Sequence, residues 1–71
     1  MNTEQFLDEI KNILQIQDTL TPQTYLFDLD EWDSLAMMNI VAFFTQKLNK
    51  KITVTELQKI DTVEQLIKLA F

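Results

Sequence analysis

The densest group of chemically capable side chains is Asp28-Leu29-Asp30-Glu31-Trp32-Asp33-Ser34-Leu35, four acids and one serine directly ahead of the most apolar stretch of the chain. A calcium loop is the first chemistry such a cluster suggests. It fails, because the position that needs glycine holds Asp33 and the closing glutamate position holds Asn39. A phosphotransfer or hydrolase centre on Asp28 and Asp30 would need an α/β scaffold and further ligands that a short helical chain does not offer. Ser34 has neither a histidine to activate it nor a glycine elbow to present it, so it is not a self-activated nucleophile. Local pattern alone leaves a helix cap as the plainest role, and Asp33 and Ser34 are both favoured residues for it.

Composition narrows the field further. The 71 residues contain no cysteine, no histidine and no glycine. Disulfides, thiolate metal sites, the usual general bases and glycine-rich phosphate loops are all removed with them. Eleven acidic residues against six lysines give a net charge of −5, which repels phosphate backbones and anionic headgroups. Nucleic acid is therefore not an expected partner. No apolar run approaches the ~20 residues of a membrane span, and Met1 through Asp8 lack the basic and apolar regions of a secretory signal. A cytoplasmic protein is expected. The length predicts one domain over residues 1–71, and its 46% hydrophobic content at helical spacing predicts a folded one.

Four helices must position the acidic cluster. Asn2 or Thr3 caps a first helix whose Phe6, Leu7, Ile10, Ile13 and Leu14 form an apolar stripe, fading near Gln17 before the turn-forming Asp18, Thr19, Thr21 and Pro22. From Gln17 to Asp33 no helical period holds, yet Leu20, Tyr25, Leu26, Phe27, Leu29 and Trp32 predict a packed loop. Ordered loops of this length are more often functional than incidental. The second helix starts at Asp33 or Ser34 and ends near Leu48, where Asn49, Lys50 and Lys51 suit a C-terminus. Met37, Ile40, Val41, Phe44 and Leu48 form its core stripe. Leu35, Ala36, Met38, Ala42 and Phe43 fall outside that stripe, so part of this surplus faces either the long loop or a partner. Thr53 and Glu56 fit a capping box for a short third helix carrying Leu57 and Ile60. Asp61 with Glu64, or Thr62 with Gln65, caps a fourth with Val63, Leu66, Ile67 and Ala70. The fold class is all-α, a small four-helix bundle with three main helices, one short one and a long ordered loop between the first two.

In this setting the residues resemble a known family. Asp33-Ser34-Leu35 stands at the Asp-Ser-Leu attachment motif of the acyl carrier proteins, midway along a short acidic chain, after a long loop and at the head of an apolar helix. A short helix and a final helix opening on Thr62-Val63 and reaching Leu66 follow in the family's order. The resemblance covers essentially the whole chain. It implies that Ser34 is not catalytic but takes a covalent phosphopantetheine arm from coenzyme A, through a phosphopantetheinyl transferase that brings magnesium. The arm's thiol then holds an acyl or similar group as a thioester for loading, transferring or synthase enzymes. A carrier of this kind is not itself an enzyme, and a monomer is expected; the loop acids Asp28, Asp30, Glu31 and Asp33 would steer partners, and the surplus apolar face of the second helix makes Leu35, Met38 and Asn39 the expected contacts.

The sequence departs from the fatty-acid-synthesis members of that family at two places. Trp32 replaces the glycine common shortly before the motif, and no acid occurs from Ser34 to Leu48, where Ala36, Asn39, Thr45 and Gln46 stand instead. These departures point to a dedicated carrier in an accessory pathway. Phe43 and Phe44 either line an acyl pocket or fill the space it would need. The rival reading is a non-covalent helical adaptor, in which Ser34 is only a cap and the second helix docks permanently in one partner.

Overall fold

The computed structural model describes residues 1–71, with helices α1 Thr3–Leu14, α2 Ser34–Lys47, α3 Val54–Gln58 and α4 Val63–Ala70. A single 3₁₀ turn, Leu26–Asp28, interrupts the long connection between α1 and α2. The architecture is the all-helical bundle the periodicity predicts. In place of strands there is one isolated antiparallel bridge between Tyr25 and Thr62.

Each helix starts where a side chain can accept a hydrogen bond from an otherwise orphaned backbone donor. Asn2 accepts from the Gln5 N–H at 2.8 Å while the Gln5 side chain accepts from the Asn2 N–H at 3.1 Å, a complete capping box. Thr62 and Gln65 form a second one at the head of α4, which decides between the two starts the sequence allowed. At α3 only half of the expected box forms. Thr53 Oγ1 accepts from the Glu56 N–H at 3.1 Å, but the Glu56 carboxylate meets the Thr53 hydroxyl and not its backbone.

Helix α1 stops earlier than its sequence suggests, because Gln15 takes a left-handed backbone with φ 57°. The Gln15 N–H then reaches the Asn12 carbonyl and the Ile16 N–H the Lys11 carbonyl, the bonding pattern of a left-handed helix end. Asn49, at φ 54°, plays the same part just after α2. Ile60, expected on α3, lies beyond its end and packs half-buried against the core from the following turn.

Sixteen buried residues, all apolar, form one cluster to which every helix contributes. Its centre is aromatic. Phe6 lies 5.8 Å from Phe44 and 5.7 Å from Phe71, both edge-on, and 6.0 Å from Phe43 in a tilted pair. These are the favoured separations and orientations for aromatic rings. The alternatives for α2 thus separate: Phe43 and Ala36 belong to the core, whereas Ala42 faces out. Phe43 and Phe44 fill the interior, and neither lines either of the molecule's two concavities.

The long connection is packed, as its apolar content predicts, through Leu20, Leu26 and Trp32, all buried. Tyr25 and Phe27 correct that expectation in part, since both remain more than half exposed. Backbone bonds fasten the connection to α4. The Leu26 N–H reaches the Asp61 carbonyl at 2.8 Å, the Val63 N–H the Thr24 carbonyl at 3.0 Å, and the Glu64 N–H the Pro22 carbonyl at 2.9 Å.

A core this small has little to spare. Truncating a buried phenylalanine costs about 3–5 kcal/mol, and a domain of this size holds about 3–5 kcal/mol in all. We therefore expect Phe6→Ala to lose its cooperative unfolding transition at 25 °C, monitored by circular dichroism in urea.

Candidate functional site

The acidic segment leaves the 3₁₀ turn through successive tight bends. The Leu29 N–H bonds to the Leu26 carbonyl and the Trp32 N–H to the Leu29 carbonyl, each at 3.0 Å. Along this segment Asp28, Asp30, Glu31 and Asp33 are all exposed. They do not gather into a group able to hold a metal ion. No lysine lies among them, so the segment presents uncompensated negative charge just ahead of α2.

Trp32 is the anchor of this segment. Its ring is buried in the core, and its indole N–H has no acceptor. A buried unpaired donor costs about 1–3 kcal/mol, so apolar burial of the ring outweighs a polar penalty here. Trp32 thereby sets where Asp33 and Ser34 emerge.

Asp33, not Ser34, is the cap of α2. Its Oδ1 accepts from the Ala36 N–H at 2.8 Å, and its extended backbone starts the helix at Ser34. Ser34 is the first helical residue, exposed, and its hydroxyl makes no hydrogen bond within the chain. Of the rival adaptor reading, the part that makes Ser34 the cap is contradicted. The Ser34 and Leu35 N–H groups also lack partners, leaving two free donors and the positive end of the helix dipole beside that hydroxyl.

Beyond Ser34 the outward face of α2 carries Leu35, Met38, Asn39 and Ala42, spaced as one stripe and all exposed, with Leu35 at 63% and Met38 at 55%. This stripe adjoins the acids through Leu35. A surface groove next to it is lined by Ile13, Leu14 and Gln15 from the end of α1 and by Glu31, Asp33, Leu35, Ala36 and Asn39. Of the expected site residues, Glu31, Asp33, Leu35 and Asn39 meet around that groove, whereas Asp30 and Met38 are exposed but do not line it. The sequence offered no signal for the α1 residues in it, because Gln15 comes to the site only through the left-handed turn. No helix is long and apolar enough to cross a membrane.

The family model described as the phosphopantetheine attachment site matches residues 4–70. No curated protein and no solved structure matches the chain.

The division of labour at the head of α2 can be tested by stability alone. Asp33→Ala should cost about 1 kcal/mol, the usual loss for a removed cap, while Ser34→Ala stays within about 0.5 kcal/mol. Urea denaturation of the two variants beside the parent reads the difference, and equal losses would count against it.

Proposed function

The chain belongs to the phosphopantetheine attachment-site family, and from that premise we propose that Ser34 bears the arm and that the loaded protein carries an acyl or similar group for other enzymes. Family membership establishes a covalent phosphopantetheine carrier, of a kind that is generally non-catalytic. The observation that carries the choice of Ser34 is its free, exposed hydroxyl at the first position of α2, with Asp33 already serving as cap. When bound, the phosphopantetheine group supplies a terminal thiol that accepts cargo as a thioester.

The residues present fit that group. Ser34 Oγ attacks the phosphorus of coenzyme A, the bond to the departing 3′,5′-adenosine diphosphate breaks, and the hydroxyl proton passes to the transferase. Activation comes from the transferase, so the lack of a histidine nearby is no obstacle. The free Ser34 and Leu35 N–H groups and the α2 dipole favour the phosphodiester charge that Ser34 gains. Residues 1–71 act as one carrier domain in this reading, a cytoplasmic monomer with no catalytic group of its own.

Partner recognition divides between charge and apolar surface. Asp28, Asp30 and Glu31 steer a basic transferase toward Ser34, and Leu35, Met38, Asn39 and Ala42 give a face that several enzymes can grip in turn. Helix α2 carries no acid, and its outward stripe of Leu35, Met38, Asn39 and Ala42 beyond Ser34 offers apolar and amide contacts. We read this as specialisation for an accessory pathway, outside housekeeping fatty-acid elongation. Support of elongation at the rate of a housekeeping carrier would sink that assignment.

Intact-protein mass spectrometry after incubation with coenzyme A, magnesium and a broad-specificity phosphopantetheinyl transferase should show one added arm, and none on Ser34→Ala. No gain with several transferases would reject Ser34 as the attachment point. Asp33 both caps α2 and carries charge, so steering is tested without it: Asp30→Asn with Glu31→Gln should slow loading at low salt, with the gap closing as salt rises. Equal rates at low salt would remove the steering role.

A further inference from the structure

The groove beside Ser34 encloses about 260 Å³ between the end of α1 and the first half of α2. We propose that it is the resting place of the chain's own phosphopantetheine arm, a reading that rests on Ser34 as the attachment point. The occupant follows from tethering and chemistry.

Tethering decides occupancy. A short flexible link keeps its end groups at an effective concentration of roughly millimolar, so a groove of only ~mM affinity would be about half filled. Such weak binding shields the arm between encounters and still yields it to an enzyme. A free ligand of the same affinity would leave the groove nearly empty.

The lining matches the neutral part of the arm. Pantetheine presents a geminal dimethyl group, a hydroxyl and two amides, each amide needing one donor and one acceptor. Ile13 and Leu35 offer apolar surface for the methyls. Gln15 and Asn39 each bring a side-chain amide, donor and acceptor together, and neither makes a hydrogen bond within the chain. The Glu31 carboxylate and the second oxygen of Asp33 accept from N–H or O–H groups. Those same carboxylates repel phosphate, which stays outside at the free Ser34 and Leu35 N–H groups.

Gln15 reaches the groove through the left-handed end of α1, a turn that Asn49 repeats after α2. Its φ of 57° is a conformation in which glycine is at ease and a β-carbon is not. Glycine there would end α1 with less strain. What glycine lacks is the amide that Gln15 places at the rim of the groove.

The test uses isotopically labelled full-length protein, with and without the arm, examined by NMR. Loading should shift the side-chain NH₂ signals of Gln15 and Asn39 and give nuclear Overhauser contacts from the arm's geminal methyls to Leu35 and Ile13. Gln15→Gly combined with Asn39→Ala keeps the fold, since glycine suits the left-handed turn and Asn39 is exposed in mid-helix. In that variant the contacts should vanish and the arm's signals should move to those of free pantetheine. Arm signals already at the free position in the parent would overturn the proposal. Contacts instead to the residues around α3, Ile52, Val54 and Ile60, none of which lines the groove, would do so too, as would unchanged contacts in the double variant. Failure to load, read by mass, would reject the attachment point and this proposal with it, whereas a loaded but free arm rejects only the docking.

Discussion

The docking of the long α1–α2 connection onto the head of α4 is the constraint on which the rest of the molecule depends. Ordering such a segment costs about 1–2 kcal/mol of backbone entropy per residue, of which the single 3₁₀ turn repays only a small part locally. The rest of the repayment is tertiary. Pro22 and Thr24 lend carbonyls to Glu64 and Val63, two donors that the first turn of α4 leaves without intrahelical partners. One set of bonds thus finishes a helix and fastens a loop. With Leu20, Leu26 and Trp32 buried on the same core, the loop delivers Asp33 to a fixed point.

The two helix starts are then treated in opposite ways. At α4 the donors are consumed by the chain itself, whereas at α2 only the Ala36 N–H is taken, by Asp33, and the Ser34 and Leu35 donors stay open. This difference follows from geometry: the loop passes across α4 and ends at α2, so nothing remains to cover the second start. An exposed serine at such a position combines access with a field that suits an added phosphodiester. Because its hydroxyl takes no part in folding, chemistry at Ser34 need not be offset elsewhere in a domain with little stability in reserve.

Features set by near neighbours were legible in the sequence. The amphipathic stripes of α1 and α4 depend on residues three or four apart and stand where the pattern put them, and the pattern narrowed each of their starts to two caps, of which the structure uses Asn2 and Thr62. Features set by distant contacts were not. Nothing local reveals that Val63 bonds to Thr24, that Leu26–Asp28 closes into a 3₁₀ turn, or that Gln15 turns left-handed with glycine absent. The split between buried Phe43 and exposed Ala42 was equally hidden, because α2 is apolar nearly all round and its facing is decided by Phe6. Asp33 and Ser34 are both good caps, so only the backbone shows which of them is spent on the helix.

Helix α2 resolves two demands by periodicity. Ala36, Met37, Ile40, Phe43 and Phe44 lock one side into the core, while Leu35, Met38, Asn39 and Ala42 fall at the i, i+3, i+4 and i+7 positions of the other. A change on the outer stripe removes no core contact, so its effect on stability is expected to stay within about 0.5 kcal/mol. Recognition can therefore be altered without endangering the fold. The converse does not hold, because the inner stripe sets the rotation of the helix and with it the direction in which Ser34 and the outer residues point. Packing around Phe6 and Phe44 thus governs the contact face from a distance, through orientation of a rigid element and not through any shared contact.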